Sequence, residues 1–188
     1  MIKLRLFLIF ALSGTVFLAA CEMQGNIRTI SFPDGSKYVG EIQDSMKQGY
    51  GKMTWANGDS YEGQWAVDKM QGTGVFTWAN GNKYDGQWVA NQRQGQGTMT
   101  EKSGATYVGQ WEGNRRSGQG TYTIPGGGSY KGAWKNDDKN GSGVFIWPDG
   151  SRYEGEWKDG KRHGQGIMTG KDGMVEKGKF LNDVFIGK

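Results

Sequence analysis

Apolar and polar positions alternate with a period of two within short segments, and these segments recur every 23 residues. Segment 61–65 alternates two aromatic rings and a glycine with Glu62 and Gln64, and segment 74–78 alternates a glycine and two rings with a valine and a threonine. Because side chains two apart in an extended chain point to the same face, each unit is predicted to form two half-buried strands. One face of the resulting sheet is aromatic and glycine-rich, and the other is polar.

The 23-residue unit occurs six times without insertion or deletion, in repeats starting at residues 38, 61, 84, 107, 130 and 153. We call them copies one to six. A half-repeat at 25–37 and a partial repeat at 176–188 flank them as caps, so the array is predicted to span residues 25–188. Such a period is typical of supersecondary units that stack on their neighbours. The prediction is an all-β fold, an elongated single-layer antiparallel β-meander or solenoid of about fourteen strands at roughly 4.8 Å spacing.

Asn-Gly and Asp-Gly pairs mark one turn of most copies. They occur in phase at Asp34-Gly35, Asn57-Gly58, Asn80-Gly81, Asp149-Gly150 and Asp172-Gly173. Such pairs supply the positive φ of tight hairpin turns. Other in-phase glycines lie on the aromatic face, where a missing side chain lets a cross-strand ring approach the backbone.

A motif of the form Tyr-x-Gly-x-Trp, followed by Gly-x-Gly and a turn glycine, runs through the array and is clearest in segment 153–166, YEGEWKDGKRHGQG. Over residues 25–188 this pattern resembles the MORN repeat. The resemblance implies an elongated antiparallel β-meander. It also implies a role as a scaffold or docking module, which in some members of the family is joined to an enzyme domain.

The N-terminus has the pattern of an export signal. Lys3 and Arg5 precede an apolar stretch that ends in small residues before Cys21, which predicts a signal peptide over residues 1–20. A permanent anchor helix is the alternative, but the apolar part at 6–20 is shorter than the roughly 20 residues that span a bilayer. Residues 21–24 would then form a short tether to the array.

Cys21 is the only cysteine of the chain, so it has no internal disulfide partner. The preceding segment Leu18-Ala19-Ala20 resembles a bacterial lipobox, which implies cleavage before Cys21 and attachment of acyl chains such as palmitate to it. More than one chain makes such anchoring durable. The expected location is the cell envelope, and Glu22, where an aspartate would resemble an inner-membrane retention signal, favours the outer membrane.

Charge and reactive residues exclude several functions. Without Lys3 and Arg5 the chain has 21 basic and 19 acidic residues, a net charge of +2, and they are scattered, so no nucleic-acid partner is expected. The single histidine, His163, stands in a column that holds Gln48 in copy one. We therefore predict no catalytic, cofactor or metal site and no enzymatic activity. Asp137 and Asp138 are expected to be solvated loop charges.

Two functions remain open: a docking scaffold for proteins, or a module that binds glycans or lipids through the aromatic face. That face has more rings than a single sheet is expected to bury, so part of it is predicted to form an exposed patch, unless curling and glycine packing cover it. Glu101 on this face is expected to be solvated at a groove, with a polar contact as the alternative. A protein segment or a second copy of the chain, forming a homodimer, would bind at the tryptophan column, whose members are Trp65, Trp88, Trp111, Trp134 and Trp157.

Overall fold

The computed structural model describes residues 26–188, which form one open antiparallel sheet of fifteen strands. Their order in the sheet is their order in the sequence. The strands are β1 (Ile27–Ser31), β2 (Lys37–Gln43), β3 (Met46–Thr54), β4 (Ser60–Ala66), β5 (Lys69–Thr77), β6 (Lys83–Val89), β7 (Gln92–Thr100), β8 (Thr106–Glu112), β9 (Arg115–Thr123), β10 (Ser129–Lys135), β11 (Asp138–Ile146), β12 (Arg152–Lys158), β13 (Lys161–Thr169), β14 (Val175–Leu181) and β15 (Val184–Gly187). The predicted all-β meander is confirmed.

The predicted signal peptide, Cys21 and the tether lie outside the described residues. Within residues 26–188, no helix is long and apolar enough to cross a membrane.

Two kinds of turn alternate along the array. Between β3 and β4, the Gly58 N–H donates to the Trp55 carbonyl at 2.9 Å, and only Gly58 of the Asn-Gly pair has a positive φ, 89°. Between β4 and β5 the loop has two residues, Val67 and Asp68, whose φ angles are 48° and 61°. A two-residue loop with both φ values positive is the tightest hairpin connection. The tightest turns therefore lie at the opposite end of the strands from the five in-phase pairs named above, and Asp159-Gly160 is the one Asp-Gly pair that forms such a tight turn.

The core is a continuous ladder of aromatic rings on one face of the sheet. Tyr61 lies 5.1 Å from Trp65 of its own copy and 5.4 Å from Trp88 of the next, with interplanar angles of 88° and 81°. The pattern continues from Tyr38 at one end to Phe180 at the other. Edge-to-face pairs of this kind contribute about 0.5–1.5 kcal/mol beyond their buried area. Because each ladder tyrosine from Tyr61 to Tyr153 contacts a ring of its own copy and one of the next, the ladder couples neighbouring repeats.

Glycine is required beneath each tyrosine. The Tyr61 hydroxyl donates to the Gln64 carbonyl at 3.0 Å, which draws the ring flat across the neighbouring strand. A Cβ on Gly74 would overlap the Tyr61 hydroxyl, and a Cβ on Gly63 would overlap the Gly74 backbone. The glycine columns therefore permit the close approach of ring and backbone that the sequence predicts.

Candidate docking surface

The tryptophan column is buried. Trp65, Trp88, Trp111, Trp134 and Trp157 are only 3–6% exposed. In Trp111 the indole lies edge-on between Tyr84 and Tyr107, both at 5.2 Å, and its Nε1–H donates to the Gly97 carbonyl at 3.2 Å. The prediction that these indoles form an exposed anchor for a partner is wrong, because neighbouring copies and their own backbone enclose them.

Cationic side chains cover the ladder from the solvent side. The Arg93 guanidinium lies 4.4 Å from the centroid of Trp111, and the Lys139 ammonium lies 4.1 Å from that of Trp157. Such contacts contribute about 0.5–1 kcal/mol at exposed sites and about 2 when desolvated, and the aliphatic stems cover further apolar area. We call this set the cation row. Its members are Lys47, Arg93, Arg116, Lys139 and Arg162.

Sequence reasoning missed the cation row because it treated the basic residues as scattered. A usable signal was present, since the five cations recur at one position of the 23-residue period and only Met70 interrupts them. An amphipathic helix is not needed to cover the aromatic face when long basic side chains lie across it.

A second column of turn residues fixes the cations in place. The Lys47 N–H donates to Asp68 Oδ1 at 2.9 Å, and the Lys47 ammonium lies 3.1 Å from the same oxygen. Together with the ammonium charge, this backbone hydrogen bond holds the pKa of Asp68 below its usual value. Asp137 holds the Arg116 side chain in the same way, with its Oδ1 3.2 Å from Arg116 Nε. Asp137 is thus a half-exposed turn carboxylate, as expected, but it is also paired with Arg116, whereas Asp138 is exposed.

Two members of the cation row have no aspartate in this column. Arg93 faces Asn114, whose backbone carbonyl accepts a 2.6 Å hydrogen bond from Arg93 Nη2. Lys139 faces Gly160, which has no side chain to offer. Burial lowers the pKa of both the Arg93 guanidinium and the Lys139 ammonium. Among the described residues, ion pairs with aspartates form at Lys47, Arg116 and Arg162 but not at Arg93 or Lys139.

A groove opens beside Gly160, between copies five and six. Its volume is about 200 Å³, and we call it the Gly160 groove. The half-buried rings of Phe145 and Trp147 form part of its wall, and Arg162 bonded to Asp183 at 3.2 Å lies at one side. The residues that line it are Lys139, Phe145, Trp147, Trp157, Gly160, Arg162 and Asp183.

A row of half-buried rings borders the cation row. Trp55, Trp78 and Trp147 occupy it, and Glu101 takes the corresponding place in copy three. Glu101 Oε1 accepts a hydrogen bond from the Tyr122 hydroxyl at 3.3 Å. The expectation of a purely solvated carboxylate at Glu101 is wrong, and the alternative of a polar contact is correct.

The candidate reactive residues are not brought together. In copy one, Gln48 Oε1 accepts the N–H of Val67 at 2.9 Å. In copy six the same position holds His163, whose buried Nδ1 has no hydrogen-bond partner in the described chain. Residues 26–188 contain no cluster of three or more His, Cys, Asp or Glu side chains that could hold a metal. What the described residues bring together on this face is the cation row and the bordering half-buried rings.

Comparison with protein families gives one match. The model of the MORN repeat matches six consecutive segments, residues 38–60, 61–83, 84–106, 107–129, 130–152 and 153–175. These segments have the same starts as the repeats identified from the periodicity. No curated protein matches the chain.

Solved structures give weaker likenesses. The chain is similar to the TCP domain of SAS-4 (dCPAP) of Drosophila melanogaster, which was solved in complex with a proline-rich motif of Ana2 (dSTIL). The identity is 17%, the match covers 94% of this chain and 99% of that chain, and the TM-score is 0.44. It is also similar to the TCP10 domain of Danio rerio CPAP, with 15% identity, coverage of 82% and 97%, and a TM-score of 0.24. At these TM-scores the likeness says nothing about what this chain binds.

Proposed function

The chain belongs to the MORN-repeat family, and from that premise we propose that it is a docking scaffold for proteins, held at the bacterial cell envelope by acyl chains on Cys21. Its repeats form one open sheet of fifteen strands, a shape suited to presenting a long surface. The partner binds across the aromatic face, at the cation row and the bordering half-buried rings.

The observation that carries the docking role is that two cations on this face form no ion pair within the described residues. A cation that is partly removed from water and has no carboxylate partner is costly to the fold unless something else stabilises it. Two such cations, Arg93 and Lys139, lie on the same face as the half-buried rings of Trp78 and Trp147. Rings and arginines are the residue types that dominate binding energy at protein interfaces.

The alternative of a glycan-binding module is less well supported. Sugars stack on open aromatic faces, but the Trp111 and Trp157 ring faces are already occupied by Arg93 and Lys139. The buried column therefore offers a sugar no stacking platform.

Photo-crosslinking tests the docking role. A photoreactive phenylalanine analogue at Trp147 samples the aromatic face, and one at the exposed Thr123 of β9 samples the polar face. We expect a discrete protein adduct from position 147 and none from 123. An adduct from 123 alone would transfer docking to the polar face, and an adduct with the mass of two chains would identify a homodimer. Absence of any protein adduct from both positions refutes the docking role.

Anchoring is tested separately by intact-mass measurement of the mature protein. We expect cleavage before Cys21 and a mass increase that corresponds to acyl chains, while Cys21→Ser accumulates as the unprocessed precursor. A mature wild-type chain without added acyl mass refutes the anchor, whatever the crosslinking shows.

A further inference from the structure

Three copies show how an aspartate of the following copy pairs with a member of the cation row. One carboxylate oxygen of Asp137 accepts both the Arg116 N–H, at 2.9 Å, and the Arg116 Nε–H, at 3.2 Å. Asp183 repeats this arrangement on Arg162 with the same two distances. Together with the Lys47 pair described above, the array thus provides three internal examples of a carboxylate oxygen shared between a backbone N–H and a cation.

Lys139 has the same two donors, but none of the carboxylates in residues 26–188 bonds to them. Residue 160 is glycine, so the side-chain acceptor that the Lys47 and Arg116 N–H groups possess is missing for the Lys139 N–H. The space for such an acceptor is present, because a Cβ built on Gly160 meets only Asp138 Oδ1, at 3.9 Å. The Lys139 ammonium lies 4.1 Å from the Trp157 ring and 4.8 Å from the Phe145 ring, inside the Gly160 groove.

We propose that the Gly160 groove binds the carboxylate of an acidic segment of a partner protein, at the position that Asp137 and Asp183 occupy in neighbouring copies. The Lys139 ammonium and the Lys139 N–H both donate to one carboxylate oxygen. Apolar parts of the same segment pack on Phe145 and Trp147. The inference rests on the proposed docking function and names the chemistry of the partner.

Charge and geometry favour this occupant over the others. Segment 158–162 has three cations and one aspartate, and the lining cations Lys139 and Arg162 outnumber the lining Asp183, so the groove attracts an acidic chain even though the exposed Asp138 lies at the rim. A second copy would bring its own cation row against this one, and like charges oppose that arrangement. Phosphate would need more donors than the two that point to this position, whereas a carboxylate oxygen is satisfied by two.

An NMR titration of the ¹⁵N-labelled full chain in detergent micelles tests the groove directly. The probe is N-acetyl-glutamate methylamide, and N-acetyl-glutamine methylamide is its uncharged control. We expect saturable shifts of the Lys139 amide and of the Trp157 indole N–H with the glutamate probe alone. Equal shifts with the glutamine probe, or none with either, overturn the proposal. A parallel titration with inorganic phosphate overturns the carboxylate assignment if phosphate saturates at the lower concentration.

Three variants borrow residues that the array already carries at these positions. Gly160→Asp supplies an internal carboxylate and is expected to abolish the shifts; its backbone, with φ 81°, resembles that of Asp137 at 75°. Lys139→Met copies Met70 and is expected to weaken binding at least about tenfold, the loss of one charge-assisted hydrogen bond. Lys139→Arg copies the other arginines and is expected to retain binding. Undiminished binding in Lys139→Met overturns the proposal even if Gly160→Asp fails to fold.

Crosslinking from position 147 in the Gly160→Asp background separates this inference from the docking function. Loss of the protein adduct together with loss of probe binding supports both. An adduct that persists after probe binding is lost leaves docking intact and overturns the groove as the contact for the partner. Absence of an adduct in the wild type refutes docking, while the titration still decides whether the groove takes a carboxylate.

Discussion

Replacing Trp111 with alanine removes one complete rung of the aromatic ladder at the centre of the array. The indole is 5% exposed and contacts Tyr84 of copy three and Tyr107 of copy four, each at 5.2 Å. Because these two contacts lie on either side of the boundary between the copies, the substitution weakens the coupling of the two halves of the array. Arg93 also loses the ring under its guanidinium.

The expected loss follows from three contributions. Burial of up to about 250 Å² at roughly 25 cal/mol per Å² gives an upper bound of about 6 kcal/mol. Collapse around the site recovers part of this, and measured losses for Trp to Ala in cores are about 3–5 kcal/mol. The hydrogen bond from Trp111 Nε1 to the Gly97 carbonyl adds about 1 kcal/mol. We expect a destabilisation of about 4 kcal/mol.

Urea unfolding followed by far-UV circular dichroism measures the loss, and hydrogen exchange locates it. We expect faster exchange concentrated in β7, β8 and β9, the strands around the missing rung. Gln96→Ala is the matched control, since Gln96 is an exposed outward-facing side chain and its change should stay within about 0.5 kcal/mol. Gln110 is unsuitable as a control because its Oε1 accepts the Gln119 N–H at 2.9 Å. A loss below about 1 kcal/mol for Trp111→Ala would refute the ladder as the source of stability, and a loss of partner binding at unchanged stability would restore the exposed-anchor hypothesis.

Three further predictions test the same packing. Burial raises the pKa of the Tyr84 phenol to about 12, so the folded chain holds this proton more tightly than the unfolded chain does. The contribution of Tyr84 to stability is therefore complete below pH 10 and should fall as the pH rises from 10 towards 12. A denaturation midpoint that is flat across this range would contradict the prediction. Gly97→Ala places a methyl group against the Tyr84 hydroxyl and should lower the free energy of unfolding by about 1–3 kcal/mol. The control is Gly113→Asn, at a turn position that other copies fill with larger residues, which should lower it by less than about 0.5 kcal/mol in thermal melting. His163→Gln supplies an acceptor like that of Gln48 and should raise stability by about 0.5–1 kcal/mol; a lower denaturation midpoint would show that the imidazole makes a contact the glutamine cannot replace.

Much of the fold could be predicted because its determinants are local. Alternation in segment 61–65 assigns side chains to faces, and the uninterrupted period places each strand beside the one before it. The column positions of Gly63 and Gly74 also predicted the close approach of a ring. The two-residue turn at Val67 and Asp68 could not be predicted, because a β-branched residue at positive φ has no local signature and is held there by the strands on both sides.

The candidate site was predictable only in part. The aromatic face was identified correctly, but the tryptophans were assigned to its surface. Exposure depends on what lies above a ring, and Arg93 meets Trp111 although they are 18 residues apart. Charge patterning along the chain does not report such a contact until the stacking of hairpins is known.

The sequence by itself determined the period, the strand faces and the glycine positions, since each depends on residues within one 23-residue unit. Only the tertiary structure decided that cations close the aromatic face and that aspartates of the following copy hold them. The pairing of Arg116 with Asp137 spans 21 residues, and it exists because stacking brings the turn of one hairpin over the strand of the previous one. The same stacking gives Gly160 its significance, because a missing side chain in one copy leaves Lys139 of the copy before it without a carboxylate.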